Sequence, residues 1–386
     1  MMFDDELDDL EKKHLLRKLK TVHSPACPVI TFEDKTVIQL ASNNYLGLAN
    51  HSNVKEAAMA AIHQYGVGSG ASRLITGTQA PHQKLETALA EFKGTEAALT
   101  FGTGYSTNIG IIPTLVESQD LILADRLCHA SLIDGCRVSQ ATLRVFQHND
   151  TKHLTQLLKK QSNKRKILII TEGVFSMDGD IAPLPELVRI AAEFEAMLLV
   201  DDAHGTGVMG AHGRGIVEHF DINPNDLIQM GTLSKAVGTN GGYVVGSRSF
   251  VDYLINTSRS FIYTTAPPPS MAAAAQTAID IIQSEPERRN RLWQNREQLY
   301  QGLKNMGFQL TNTQSPIIPI ILNDPQLAVD MSTKLLEHGI YVPAIRPPTV
   351  PKGTSRLRVT VTSEHTPEHI DTALHAFDVV RRQSGL

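Results

Sequence analysis

The sequence predicts an α/β fold, with a large unit on a mostly parallel sheet and a smaller C-terminal α+β unit. Three observations carry this expectation. Short apolar runs at residues 97–101, 121–124, 167–171, 197–200 and 242–245 have the length and composition of buried strands. Between them, segments such as 151–161 and 184–195 place apolar residues three or four apart, the helical period. Strands alternating with helices from about residue 50 to 250 make βα units whose sheet is covered on both faces. The third observation is TTAPPPS at residues 264–270, because three consecutive prolines fit neither a helix nor a central strand.

The expected elements follow in order. Leu7, Leu10, Leu15, Leu16 and Leu19 stand at near-helical spacing among charges, giving an amphipathic helix packed on the body or on a second subunit. Residues 1–50 form this helix and an extended segment, 51–270 the large unit and 271–386 the small one. In the small unit a long helical pattern covers 271–306, interrupted near 284–286. Apolar runs at 317–322, 340–342 and 356–362 then frame a helix at 326–338, and a last helix closes the chain. That irregular mixture is expected of an α+β unit.

The 386 residues carry 36 Lys+Arg against 40 Asp+Glu, a net charge of −4. This balance argues against nucleic acid or an anionic membrane surface as the main partner. No apolar run approaches the roughly 20 residues of a membrane span. The acidic start, MMFDDELDDL, lacks the basic residues and apolar stretch of a secretory signal. Cys27, Cys128 and Cys136 form no CxxC pair, which suits a reducing cytoplasm.

Ligands of parallel sheets bind beyond the carboxyl ends of the strands, and here those positions are rich in polar groups. Residues 102–108 read GTGYSTN, Asp125 and His129 follow the second run, and residues 172–180 read EGVFSMDGD. Residues 201–205 read DDAHG and 231–235 GTLSK. Two simpler readings are weaker. Gly205, Gly207 and Gly210 spell GxGxxG, but no helical pattern opens within them as a dinucleotide fingerprint requires. Asp201, Asp202 and His204 could hold a metal, but adjacent Asp side chains on a strand point to opposite faces, and no HExxH accompanies them. No metal is expected. Residues 102–108 instead suit a phosphate at the N-terminus of a helix starting near Thr107. A phosphate cradle, the strand-end acid Asp201 and the later Lys235 are together what pyridoxal 5'-phosphate requires. The lysine takes the aldehyde, the carboxylate keeps the ring nitrogen protonated, and the helix end takes the phosphate.

Residues 232–236 (TLSKA), 201–205 and 172–180 resemble the α-oxoamine synthases, and the resemblance extends from residues 43–48 (NNYLGL) to 356–358 (RLR). These fold-type I pyridoxal-phosphate enzymes, aspartate-aminotransferase-like in fold, condense an amino acid with an acyl thioester and release carbon dioxide. Residues 344–351 (AIRPPTVP) are similar to the biotin-pathway branch, which joins L-alanine to a pimeloyl group on coenzyme A or a carrier protein. Residues 66–78 depart from some members of that branch, with Ser72-Arg73 in place of Gly-His.

The resemblance implies a role for each matching residue. Lys235 would hold the cofactor and move the substrate's Cα proton. Asp201 would pair with the ring nitrogen, His204 with the ring oxygen, and His129 would stack on the ring. Gly104, Tyr105, Thr232 and Ser176 match cofactor contacts. Thr264 and Thr265 match a pair reaching the phosphate from a neighbouring subunit, which makes a homodimer with a shared site. Arg356 would take the amino-acid carboxylate, with Arg358 the weaker candidate. Asn43 would touch substrate, and Arg17 would meet the acyl carboxylate. Three rivals stand beside this reading: a sister enzyme joining glycine to acetyl-CoA, a non-catalytic scaffold of the same fold, and a metal hydrolase.

Overall fold

The computed structural model describes residues 3–12, 16–17, 19–160 and 165–386. Two strands near the start, β1 (Val29–Phe32) and β2 (Lys35–Gln39), pair as an antiparallel hairpin. The central sheet comprises β3 (Ala97–Phe101), β4 (Leu121–Asp125), β5 (Thr142–Phe146), β6 (Ile167–Glu172), β7 (Met197–Asp201), β8 (Ile228–Thr232) and β9 (Gly242–Gly246). Their spatial order is β3-β9-β8-β7-β6-β4-β5. Only β9 runs against its neighbours, so the carboxyl ends of β3, β4, β6, β7 and β8 open on one side.

Every residue of β3, β4 and β9 is buried, because side chains on both faces meet helices. Leu99, Ile122, Ile170 and Leu199 face one core; Ala98, Leu123, Ile169 and Val200 face the other. The strands expected from sequence are all present, each within a residue or two of its expected ends. Two others were harder to see. β5 is an edge strand with Arg144 and Val145 exposed, so it lacks the apolar signature of its neighbours. In β8, Gln229 and Gly231 interrupt the apolar run although both are buried.

The helix Gly104–Leu115 packs against Ala130–Ser139. Pro269–Ser284 packs against Ser52–Tyr65 and Ala80–Lys93, beside the large sheet. The long helical pattern divides at Glu285, where Pro286 opens a new helix, Pro286–Asn305. Pro325 and Pro367 likewise stand in the first turns of Pro325–Glu337 and Pro367–Gln383, where the missing N–H costs no hydrogen bond. Side chains of Asp324 and Thr366 cap these two helices by accepting from Leu327 and His369 N–H groups.

Four short strands complete the C-terminal part: β10 (Ile317–Asn323), β11 (Ile340–Tyr341), β12 (Ala344–Ile345) and β13 (Ser355–Thr360). β13 lies between β10 and β12, antiparallel to both, whereas β11 pairs with β2 and ties the N-terminal hairpin to this part. The N-terminal helix spans Asp4–Lys12, shorter than the spacing of its leucines suggested, and buries no residue. Leu15, within the expected N-terminal helix, and Gln161, at the end of the expected helix 151–161, lie outside the described residues. No helix among the described residues is long and apolar enough to cross a membrane.

Candidate active site

The strand ends that open together enclose a cavity of about 260 Å³. Asp201, the last residue of β7, lies at its floor. Its Oδ2 accepts from Asn108 Nδ2 at 3.0 Å and its Oδ1 from the Ala203 N–H at 3.0 Å, so the carboxylate is fixed with lone pairs to spare. Asp202 turns the opposite way, as strand alternation demands, and meets Lys93 Nζ at 2.9 Å in a fully buried pair. That pair sits beneath the turn that carries His204: Asp202 also accepts from the Ile216 N–H, and a Cβ at Gly205 or Gly215 would collide with its carboxylate. Packing against Asp202 therefore explains two of the glycines around the GxGxxG pattern, and the segment is a run of turns.

Lys235, three residues beyond β8, lines the cavity. Burial lowers its pKa to about 8, and Arg358 adds to the effect, against the opposing pull of Asp201 and Glu172. Burial also lowers the pKa of His204 and of His129, with the Lys235 charge acting in the same direction on both. The Nδ1 of His204 lies 2.7 Å from Tyr45 OH, which leaves Nε2 for the cavity. His129 caps the helix Ala130–Ser139, its Nδ1 2.8 Å from Ser131 Oγ.

At the other wall Thr103 caps the helix Gly104–Leu115 in a reciprocal pair with Ser106. Gly104 abuts the Thr232 side chain, which a Cβ would meet at 3.4 Å, so the backbone comes close to the cavity there. Thr232 Oγ1 donates to the Gly241 carbonyl at 2.9 Å and lies 2.7 Å from Ser234 Oγ. Tyr105 is exposed, and its hydroxyl donates to Asp134 at 2.7 Å.

Two arginines on β13 diverge. Arg356 Nη1 meets Asp178 Oδ1 at 2.7 Å and the Met177 carbonyl at 2.9 Å. Arg358 donates to the Ser176 carbonyl at 2.6 Å and to Asn43 Oδ1 at 3.2 Å. Asn43 Oδ1 also accepts from Tyr45 OH at 3.3 Å, so a chain of contacts links Arg358 to His204. The charge of Arg358, not that of Arg356, is felt at Lys235 and His204.

The remaining candidates lie elsewhere. Thr264 and Thr265 are exposed and line neither this cavity nor its neighbour. Arg17 is exposed beside a hollow formed with Leu7, Leu10, Leu16 and Pro348. Ser176 lines a second cavity, adjacent to the first and sharing His129. Arg73, the departure in residues 66–78, is buried and paired through both terminal nitrogens with Glu86, a structural contact. Sequence reasoning gave no role to Asn108, Glu172 or Tyr45, although all three lie within the motifs it quoted. Among the described residues, no group of three or more His, Cys, Asp or Glu is placed to hold a metal.

Residues 35–377 match the family described as aminotransferase class I and II. The 8-amino-7-oxononanoate synthase of Symbiobacterium thermophilum is 46% identical over 383 residues, covering 99% of this chain and 98% of the relative. The 8-amino-7-oxononanoate synthase 1 of Bacillus subtilis is 43% identical over 381 residues, 99% of this chain and 97% of its own. The chain belongs to the α-oxoamine synthase family. Solved α-oxoamine synthases share its whole architecture. The serine palmitoyltransferase of Sphingomonas wittichii superposes with a TM-score of 0.95 at 37% identity, covering 100% of this chain and 98% of that one. The 8-amino-7-oxononanoate synthase of Francisella tularensis gives 0.78 at 33% identity, over 91% and 99%.

The cofactor of this α-oxoamine synthase is pyridoxal phosphate, and the cavity fits it on its own chemistry. A fixed carboxylate, an amine of lowered pKa and a capped helix N-terminus converge on one space. Among the described residues, buried Glu172 Oε1 and Asn108 Oδ1 have no hydrogen-bond partner, and both residues line the same space.

Proposed function

We propose that this enzyme condenses L-alanine with a pimeloyl thioester, releasing carbon dioxide and forming 8-amino-7-oxononanoate for biotin synthesis. The observation that carries the substrate choice is 43–46% identity to curated 8-amino-7-oxononanoate synthases over nearly the full chain. When bound, pyridoxal phosphate supplies an aldehyde for amino groups and a ring that accepts the electron pair left at the substrate's Cα.

The chain's own residues divide the remaining work. Lys235 would hold the aldehyde and then take the Cα proton, and burial, which lowers its pKa to about 8, favours the neutral amine. Asp201, held by Asn108 and Ala203, keeps the ring nitrogen protonated. His204, held at Nδ1 by Tyr45, would meet the ring oxygen through Nε2, and His129 would stack on the ring. Gly104, Tyr105, Thr232 and Ser234 would hold the phosphate, and Ser176, on the adjoining cavity, would approach the ring oxygen from there. Arg358 takes the alanine carboxylate in preference to Arg356, since Arg356 is committed to Asp178. Asn43 orients Arg358. The exposed Thr264 and Thr265 would reach the phosphate of a second copy, which would make the working unit a homodimer. Free Cys27, Cys128 and Cys136 suit a cytoplasmic enzyme.

The test is a visible-spectrum titration of the holoenzyme with L-alanine or glycine, then with pimeloyl thioester or acetyl-CoA added to each. A saturable response to L-alanine, followed by turnover on adding the thioester, supports the reading. Turnover confined to glycine with a short acyl donor moves the protein to a sister activity.

A further inference from the structure

Tyr45 stands between β2 and the helix Ser52–Tyr65 and is fully buried. Its carbonyl accepts from the Ser363 N–H at 2.7 Å, so its backbone is pinned from just beyond β13. The hydroxyl has one proton and two acceptors within reach, His204 Nδ1 at 2.7 Å and Asn43 Oδ1 at 3.3 Å. His204 is the nearer, and Asn43 Oδ1 already accepts from Arg358 at 3.2 Å. Burial keeps the proton on the Tyr45 hydroxyl by raising its pKa, against the opposing charge of Arg358.

His204 is buried and neutral, since burial lowers its pKa well below the usual histidine value and the charges of Lys235 and Arg358 add to the effect. A neutral imidazole carries its proton on one nitrogen and accepts at the other. With Nδ1 accepting from Tyr45, the proton belongs on Nε2, the nitrogen left for the cavity. Were Tyr45 to donate to Asn43 instead, Nδ1 would hold the proton and Nε2 could only accept.

We propose that Tyr45 is a positioning residue for the cofactor, its hydroxyl fixing the tautomer of His204 in which Nε2–H donates to the ring oxygen. The proposal rests on the place given to His204 above and deepens it, and it is independent of the acyl donor. A donor at that oxygen takes up part of its negative charge. The proton shared between the oxygen and the Lys235 nitrogen then leaves at lower pH.

The experiment follows the visible band of the bound cofactor against pH, without substrate. Holoenzymes of the wild type, Tyr45→Phe, His204→Leu and the double variant are compared. Tyr45→Phe keeps the ring and removes only the hydroxyl. Its midpoint is expected about one unit above that of the wild type, the effect of one lost hydrogen bond. In the His204→Leu background the same substitution should add nothing, because Tyr45 acts through His204. An unchanged midpoint in Tyr45→Phe, a downward shift, or an equal shift in both backgrounds overturns the proposal. Nitrogen NMR of the wild-type holoenzyme with isotope-labelled histidine needs no Tyr45 variant. His204, identified by its loss in His204→Leu, should carry its proton on Nε2; a proton on Nδ1 overturns the proposal. A midpoint unmoved in His204→Leu removes the place given to His204 itself, a failure visible before Tyr45 is changed.

Discussion

Glu172 and Asp201 are register partners at the carboxyl ends of adjacent parallel strands, and both carboxyls line the Lys235 cavity. Burial and the Asp201 charge push the Glu172 pKa up to about 8, against the opposing pull of Lys235. In the folded apoprotein Glu172 therefore keeps its proton between pH 4.5 and 8, where the unfolded chain has lost it. Folded protein binding more protons means stability falls as pH rises through that window. Glu172→Gln keeps the shape and removes the titration. Its melting temperature, relative to the wild type, is expected to be higher at pH 8 than at pH 5. Parallel declines in the two proteins would contradict a protonated Glu172.

Lys235 makes a second, kinetic prediction. The amine reacts only when neutral, so the rate of cofactor uptake by apoprotein should rise with pH and level off above about 8. Burial is the main cause of that low value, and the Arg358 charge a lesser one. Arg358→Ala should therefore move the plateau to higher pH, whereas Arg356→Ala should leave it in place. Stopped-flow absorbance at several pH values reads both. Uptake independent of pH between 6 and 9 would refute the depressed amine.

The motifs made most of this site legible, and the geometry supplied what they could not. Asp201 and Lys235 could be paired in advance because strand ends of one parallel sheet must converge. Asn108 was visible only as part of a small-residue run, since nothing in its surroundings says that it reaches across from a helix to Asp201. The choice between Arg356 and Arg358 was equally hidden. Spacing by two puts them on one strand face, and only the partner loop, with Asp178 near one and Asn43 near the other, separates them. β5 escaped for the reason edge strands do: half of its surface belongs to water.

His148 bridges Asp125 at 2.9 Å and Asp180 at 2.8 Å, and its ring packs edge-on against Phe175. It thereby joins the loop that carries Arg126 and His129 to the loop that carries Ser176 and Asp178. Burial disfavours its charge, but the two carboxylates outweigh this and push the pKa up to about 10. A raised histidine contributes fully below pH 6.5 and loses its contribution as pH climbs toward 10. His148→Gln should cost about 2 kcal/mol near pH 6, given the partial exposure of the ring, and progressively less above pH 8. Urea denaturation at pH 6 and 9 measures the difference. An equal cost at both values would show a packing role without the charge.

The two arginines of β13 provide the sharpest division between binding and architecture. Arg356 is almost fully buried, and its charge faces Asp178. Removing it leaves that carboxylate without its cation and opens a gap between β13 and the loop. Arg356→Ala should therefore lower stability by about 3 kcal/mol while whatever enzyme remains folded binds L-alanine almost normally. Arg358 is held by a backbone carbonyl and a neutral amide, so among the described residues no carboxylate is committed to its charge. Alanine's carboxylate would supply one. Arg358→Ala should weaken alanine binding at least about tenfold, the cost of losing a charge-assisted pair, with a smaller effect on stability. Arg358→Lys should recover only part, because an ammonium lacks the bidentate fork. The alanine titration of each holoenzyme, read beside its denaturation curve, separates the two residues. Loss of alanine binding in folded Arg356→Ala, with Arg358→Ala unaffected, would exchange their roles.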